Sequence, residues 1–433
     1  MLKNYETAAI GFASAGHTLC HLLVLLFPTV LLALEVEMEL SYKELAALAV
    51  PAAFLFGAGA LPAGWIGDKW SKTRLLEIFF YGTGAFTILT GFSQTPLMLA
   101  CGLAGIGLFA SIYHPVGISW LVTSTSKTGT ALGVNGLFGS IGFVLAPLVA
   151  GTLTGWWSWR IAFIVPGIVC MVIGVLFSIS LRTILEETET TVQREVYESS
   201  SSKSIWITFG LMAMALFLTG MFHQIVQFSL PKDFDLRVLF TSGSLMGTGA
   251  LVALVYAAGA IGQLVCGQMA DHYSERQLYF TLFLITVPIV ALASQLNEIS
   301  LVLSMMIIVF LSTGALTVEN TLLVRYAPSS RHGLVFGSRF LLSFGFSASG
   351  IYISGWIFNI TGSFNWLYAL LVLLASAVAI IAFFLPGQRV PQPACPALPK
   401  SFYHFGSSLK GQKTGISLVW CTSGSSSNAS IPA

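Results

Sequence analysis

Away from the ends of the long apolar runs, Glu319 and Arg339 are the only full charges of this chain, and His17, His21, His114 and His223 are the histidines that share that setting. An ionisable group is costly to keep among apolar residues, so each one marks a candidate site. Glu319 lies in Thr317-Val318-Glu319-Asn320, preceded by a long apolar stretch. A carboxyl screened from water can take up and release a proton, and Arg339 is the partner for which a proton or an anionic substrate would compete. The structural alternative is a permanent Glu319–Arg339 pair. His114, followed by Pro115, can carry a proton, hydrogen-bond a substrate or bind a metal. His17 and His21 are four residues apart and share one helical face. Tyr113, Gln224, Gln227 and Asn320 are the neutral polar neighbours of these groups.

The elements that must position them are membrane helices. Of 433 residues, 55% are hydrophobic and 9% charged, against roughly 25% charged in soluble domains. Twelve apolar runs occupy about 8–34, 45–66, 76–93, 97–121, 131–153, 160–181, 204–230, 245–267, 277–294, 299–323, 333–358 and 365–386. A helix needs about 20 such residues to cross a bilayer, and an open-ended segment satisfies its backbone in lipid only as a helix. The expected fold class is an all-α membrane protein with 12 transmembrane helices. With both termini cytoplasmic, that side gathers fifteen Lys and Arg, while Lys43, Arg160, Lys232 and Arg237 fall on the other; this is the positive-inside asymmetry. The first run is too long for a signal peptide. The six cysteines suggest neither a disulfide framework nor a CxxC metal site.

The chain is internally doubled. Gly64-Trp65-Ile66-Gly67-Asp68-Lys69, continuing to Arg74, returns as Gly267-Gln268-Met269-Ala270-Asp271-His272, continuing to Arg276. Gly16 and Gly220, Pro28 and Pro231, Gly133 and Gly337, Gly151 and Gly355, and Trp159 and Trp366 repeat at nearly the same offset, and His114 falls one residue from the counterpart of Glu319. Doubled apolar halves are how secondary transporters are built, with the substrate bound between them near the midplane. The halves are expected as six-helix bundles over 1–181 and 204–386, joined by a cytoplasmic linker over 182–203 that is rich in Glu and Ser. Residues 387–433, rich in Pro, Ser and Gly, are expected to form a disordered cytoplasmic tail.

These motifs resemble those of the major facilitator superfamily over nearly the full length of the chain. The first Gly-Asp loop is similar to that family's loop between helices 2 and 3, with Ser71, and Ser274 in the second half, in place of a later glycine. The resemblance implies a gating latch made of Gly64, Asp68, Lys69 and Arg74 and of Gly267, Asp271 and Arg276, in which Asp68 pairs with an arginine and caps a helix N-terminus. A topology-setting basic loop is the plainer reading. In the fifth run, Gly139, Gly142, Ala146-Pro147 and Ala150-Gly151 resemble a pattern associated with antiporters; helix packing by small residues, through Gly142, Pro147 and Gly151, accounts for them equally. Ser111-Ile112-Tyr113-His114-Pro115, with the His17/His21 region, is similar to fosmidomycin-resistance-type exporters and to related bacterial members, including magnetosome-associated ones. In this family helices 1 and 7 face one cavity, so His17, His21 and His223 could converge on a transition metal or line the cavity as hydrogen bonders.

No Walker-type phosphate loop or Gly-x-Ser-x-Gly elbow is present, and no enzymatic activity, cofactor or nucleic-acid partner is expected. The expected function is secondary transport of a small solute by alternating access, as proton-coupled antiport and export, with Glu319, His114 and Arg339 in proton coupling. His17, His21, Tyr113, His223, Gln224, Gln227 and Asn320 would contact the solute. Transport of iron or another divalent metal is the alternative, and a non-transporting receptor or scaffold is a second. A monomer in a bacterial inner membrane is expected, with the magnetosome membrane as the alternative location.

Overall fold

A computed structural model of the chain describes residues 2–181, 203–326 and 337–386. The expected tail, and the expected linker apart from Lys203, lie outside the described residues. Every regular element among those residues is helical. Twelve crossings follow in order: α1 (Tyr5–Glu37), α2 (Tyr42–Lys69), α3 (Lys72–Gly91), α4 (Pro96–Thr123), α5 (Thr128–Trp156), α6 (Trp159–Ser180), α7 (Thr208–Arg237), α8 (Leu245–His272), α9 (Glu275–Ala293), α10 (Glu298–Leu323), α11 (Gly337–Thr361) and α12 (Asn365–Phe384). Eleven of these are long and apolar enough to span a bilayer. The twelfth, α3, carries Lys72, Arg74 and Glu77 in its first two turns, which dilutes its apolar character without shortening it.

Short polar signals set the helix ends. Ser41 and Glu44 form a reciprocal cap on α2, with the Ser41 amide donating to Glu44 Oε2 at 2.8 Å. Ser71, Thr95 and Ser244 accept from the backbone amides of Arg74, Met98 and Gly247 at the starts of α3, α4 and α8; such caps satisfy amides that have no intrahelical partner. Gly362 ends α11 in the left-handed conformation, φ +65°, which glycine adopts without strain. Pro28 has no amide to offer the Val24 carbonyl, and the regular helix of α1 breaks just before it.

Packing repeats between the halves. Contacts of α2 with α4 and of α3 with α4 and α6 recur as α8 with α10 and as α9 with α10 and α12. Across the halves α5 packs on α8, and α2 packs on α11. Glycines allow these approaches: a side chain at Gly249 would run into the Pro147 carbonyl and the backbone of Gly151. Val172, Leu176, Ile261, Leu264, Leu373 and Ile380 stay exposed, an arrangement that lipid tolerates and water does not.

Two faces differ in charge. One carries the α2–α3 and α8–α9 loops with their Lys and Arg. On the opposite face each of Arg160, Lys232 and Arg237 has an acidic partner: Glu37, Glu35 at 2.8 Å and Asp233 at 3.2 Å respectively. The sequence run ended α7 near residue 230, whereas the helix continues to Arg237. Asp233 is thereby buried, and it accepts a 2.7 Å hydrogen bond from Tyr368 of α12.

Candidate functional site

Three of the intramembrane histidines meet in the first half. His17 and His21 come from successive turns of α1. His114 comes from a π-helical turn, Tyr113–Gly117, within α4. Pro115 lies in that turn and can give no amide to the ladder, and such wide turns gather at functional sites. His17 Nδ1 lies 2.8 Å from the Asn135 carbonyl of α5, and His17 Nε2 lies 3.1 Å from His21 Nε2. One ring nitrogen from each of His17, His21 and His114 falls within 4.8 Å of the others. Gly139 and Gly142 make the room: a Cβ at Gly139 would come within 2.5–2.7 Å of three His17 ring atoms, and one at Gly142 within 3.1 Å of His21 Cβ. The glycine pattern of α5 thus admits imidazoles as well as a neighbouring helix.

Tyr113 is fully buried and committed. Its hydroxyl donates to the Ala13 carbonyl at 2.6 Å and accepts from Asn135 Nδ2 at 2.7 Å, and its ring stacks on His17. Tyr113 holds α1, α4 and α5 together and has no free polar atom for a solute. His114 leaves Nε2 buried without a hydrogen-bond partner, and its ring stacks on Phe340 of α11 with centroids 5.0 Å apart. The second half therefore lays an aromatic ring over a polar cluster of the first.

Glu319 anchors the counterpart in the second half. It has no solvent exposure. Its Oε1 accepts from the Tyr279 hydroxyl of α9 at 2.7 Å, and Tyr279 lies 2.8 Å from Thr219 Oγ1 of α7. Its Oε2 has no partner, and neither have Asn320 Oδ1 and Arg339 Nε. Arg339 is buried on α11, with its guanidinium 5.6 Å from the Phe340 ring centre. No Glu319–Arg339 ion pair is present; the ion pairs among the described residues are the three on the opposite face. Phe340, the sequence neighbour of Arg339, stacks on His114, which brings Arg339 of α11 to the boundary with the first half.

Between the halves lies a cavity of about 50 Å³, bordered by Ser140 and Phe143 of α5, His223 and Gln227 of α7, and Tyr256 and Gln263 of α8. Ser140 Oγ donates to Gln263 Oε1 at 2.9 Å across it, and Phe143 stacks on His21 with centroids 4.3 Å apart. His223 lines this cavity. Its Nδ1 lies 2.9 Å from the Thr219 carbonyl and its Nε2 is unpartnered. The sequence grouped His223 with His17 and His21, whereas the structure puts His114 in the third position. Gln224 points elsewhere, donating to the Phe344 carbonyl at 3.4 Å.

The Gly-Asp loops lie on the basic face. Gly64 packs against Pro115, where an added Cβ would sit 3.3 Å from the proline Cβ, and Gly267 faces Thr317 at 3.5 Å. Lys69 covers the Trp65 ring at 4.2 Å, and Arg276 approaches Phe383. Asp68 and Asp271 are exposed, and neither forms an ion pair with a described residue. Residues 327–336, between α10 and α11, are outside the described part.

Asn135, Tyr279, Thr219, Phe340 and Gln263 were not among the expected site residues. Asn135 alone carried a visible signal, a carboxamide in a run of small and apolar residues. The others are ordinary in type and acquire meaning only from what they touch.

Comparisons with known proteins agree with this architecture. The family profile of the Major Facilitator Superfamily matches residues 13–258 and 238–428. An uncharacterized MFS-type transporter of Methanocaldococcus jannaschii is 21% identical over 315 residues, 69% of this chain and 80% of that protein. A probable 4-methylmuconolactone transporter of Cupriavidus pinatubonensis is 27% identical over 157 residues, 34% of this chain and 37% of its own length. Among solved structures, a bacterial homolog of the human lysosomal transporter Spinster, inward-facing and occupied, superposes with a TM-score of 0.68 at 16% identity, over 88% of this chain and 94% of that one. With the profile spanning both halves and the fold shared, the chain belongs to the Major Facilitator Superfamily, as a multi-pass secondary transporter and not an enzyme.

Proposed function

We propose that this transporter exchanges protons for a small organic solute, exporting it as the halves 1–181 and 204–386 rock about the midplane site. Glu319 carries the reading: a carboxyl with no exposure, one oxygen held by Tyr279 and the other unpartnered. Native structures leave few buried polar atoms unpaired, and an unsatisfied carboxylate oxygen is a place for a proton. Protonation removes the charge, so the half can pass through its closed state without a bare buried anion. Arg339 has no acidic partner among the described residues, so its charge is available to an ionised Glu319 or to an anionic solute. His223, with an unpaired Nε2 on the wall of the cavity, can pass the proton or hydrogen-bond the solute.

The solute would enter the cavity between α5, α7, α8 and α10, where His223, Gln227, Ser140 and Gln263 offer donors and acceptors among aromatic walls. The organic class is supported by the relative that is a probable 4-methylmuconolactone transporter. The charge asymmetry of the loops favours cytoplasmic termini. The test uses proteoliposomes loaded with a pH-sensitive dye and challenged with a panel of organic compounds. A solute-triggered proton movement that disappears in Glu319→Gln, with solute–solute exchange retained, is expected. Full uphill transport by Glu319→Gln would remove Glu319 from the mechanism.

A further inference from the structure

We infer that His17, His21 and His114 form a binding site for a first-row divalent transition-metal ion, built within the N-terminal half and separate from the Glu319 site. Three observations carry this. The first is distance. Two imidazole nitrogens on one tetrahedral ion, each about 2.0–2.1 Å from it, are roughly 3.3–3.4 Å apart. His17 Nε2 and His21 Nε2 are already at 3.1 Å, and a nitrogen of His114 completes a set within 4.8 Å. Small ring rotations suffice to close it.

The second is protonation pattern. His17 Nδ1 faces a carbonyl, which only accepts, so Nδ1 carries the hydrogen and Nε2 keeps its lone pair directed into the cluster. Metal-bound histidines are oriented in this way, with the far N–H donated to a backbone oxygen. The shared hydrogen between the two Nε2 atoms then belongs to His21, which becomes a ligand by moving that proton to Nδ1.

The third is vacancy. His114 Nε2 is a buried polar atom without a partner, and α5 is carved by Gly139 and Gly142 so that the rings fit. Three neutral nitrogens suit zinc, cobalt or ferrous ions over calcium or magnesium, which prefer oxygen. All three ligands move with one half, while Phe340 of the other half covers His114, so parting of the halves would uncover the ion. Arg339, next in sequence to Phe340, carries a like charge that opposes binding of a cation.

The test is titration of the full-length, detergent-purified, metal-stripped protein with Co²⁺ alone, read by the visible ligand-field absorption that distinguishes a tetrahedral ion. One saturating equivalent is expected. Replacing any one of His17, His21 or His114 by Gln should weaken binding by at least about a hundredfold, beyond the loss seen for outer partners of metal ligands. The three variants are independent, so a failure of one to fold leaves two readings. His223→Gln and Glu319→Gln should keep the absorption band, and Arg339→Gln should tighten binding several-fold as a like charge is removed. Absence of a saturable band in the native protein would overturn the site, as would equal loss in His223→Gln. Survival of the band in Glu319→Gln separates this outcome from the proton-coupling test.

Discussion

Tyr279 donates the 2.7 Å hydrogen bond to Glu319, and its removal should be felt more than its chemistry suggests. In Tyr279→Phe the ring volume stays while Oε1 of a fully buried carboxyl, whose Oε2 is already unpartnered, loses this donor. An orphaned buried acceptor costs about 1–3 kcal/mol, more when charged. The expected outcome is a lower melting temperature together with weaker proton-driven flux; thermal unfolding and dye-loaded proteoliposomes measure the two separately. Unchanged flux would mean that Tyr279 only packs. At this scale the sequence was partly legible. Glu319, Arg339 and the histidines were visible because charge among apolar residues is conspicuous. Tyr279 and Thr219 were not, since neither residue type is unusual in a membrane helix. His114 was not grouped with His17 and His21 because sequence spacing relates residues on one helix, and their meeting depends on how α1 packs against α4.

At the scale of elements, α1 and α7 are tied across the halves by Glu35 and Lys232 at 2.8 Å, both largely buried. Tyr42 of α2 adds contacts to the Phe228 carbonyl of α7 and to Ser354 of α11 on the same face. A pair this shielded is costly to break one-sidedly, by up to about 3–5 kcal/mol when fully buried. Lys232→Ala is therefore expected to open this face more often and to raise the labelling rate of cysteines placed beneath it. The charge swap Glu35→Lys with Lys232→Glu should recover much of the native rate. Equal labelling in native protein and Lys232→Ala would show that the pair contributes nothing to closure. The helices themselves were legible as runs of apolar residues. Their ends were less so: Lys232, Asp233 and Arg237 resemble a loop until Glu35, Tyr368 and the α9–α10 turn supply partners for them.

The whole molecule turns on two seams, α5 against α8 and α2 against α11. The first seam is tightest where Gly151 faces Gly249. Gly249→Val would put a branched side chain against the Pro147 carbonyl, and packed backbones do not yield to that without moving apart. Loss of transport with normal membrane insertion is expected, checked by flux and by cross-linking between α5 and α8; unimpaired flux would show that this contact is dispensable. Repetition in the sequence led to the expectation of two halves, and the contacts of α2 with α4 and of α3 with α4 and α6 recur in the same order as those of α8 with α10 and of α9 with α10 and α12. Which glycines meet across the seam was hidden, since that requires both halves in place. The Glu35–Lys232 bridge also has an electrical consequence. Its two charges lie at one depth and cancel, so this pair itself carries almost no net charge through the membrane field. A full elementary charge crossing that field is worth about 2.3 kcal/mol per 100 mV. Voltage is thereby left to act on the proton and the cargo, and a carrier lacking Lys232 should acquire a potential-dependent opening step that the native one does not have.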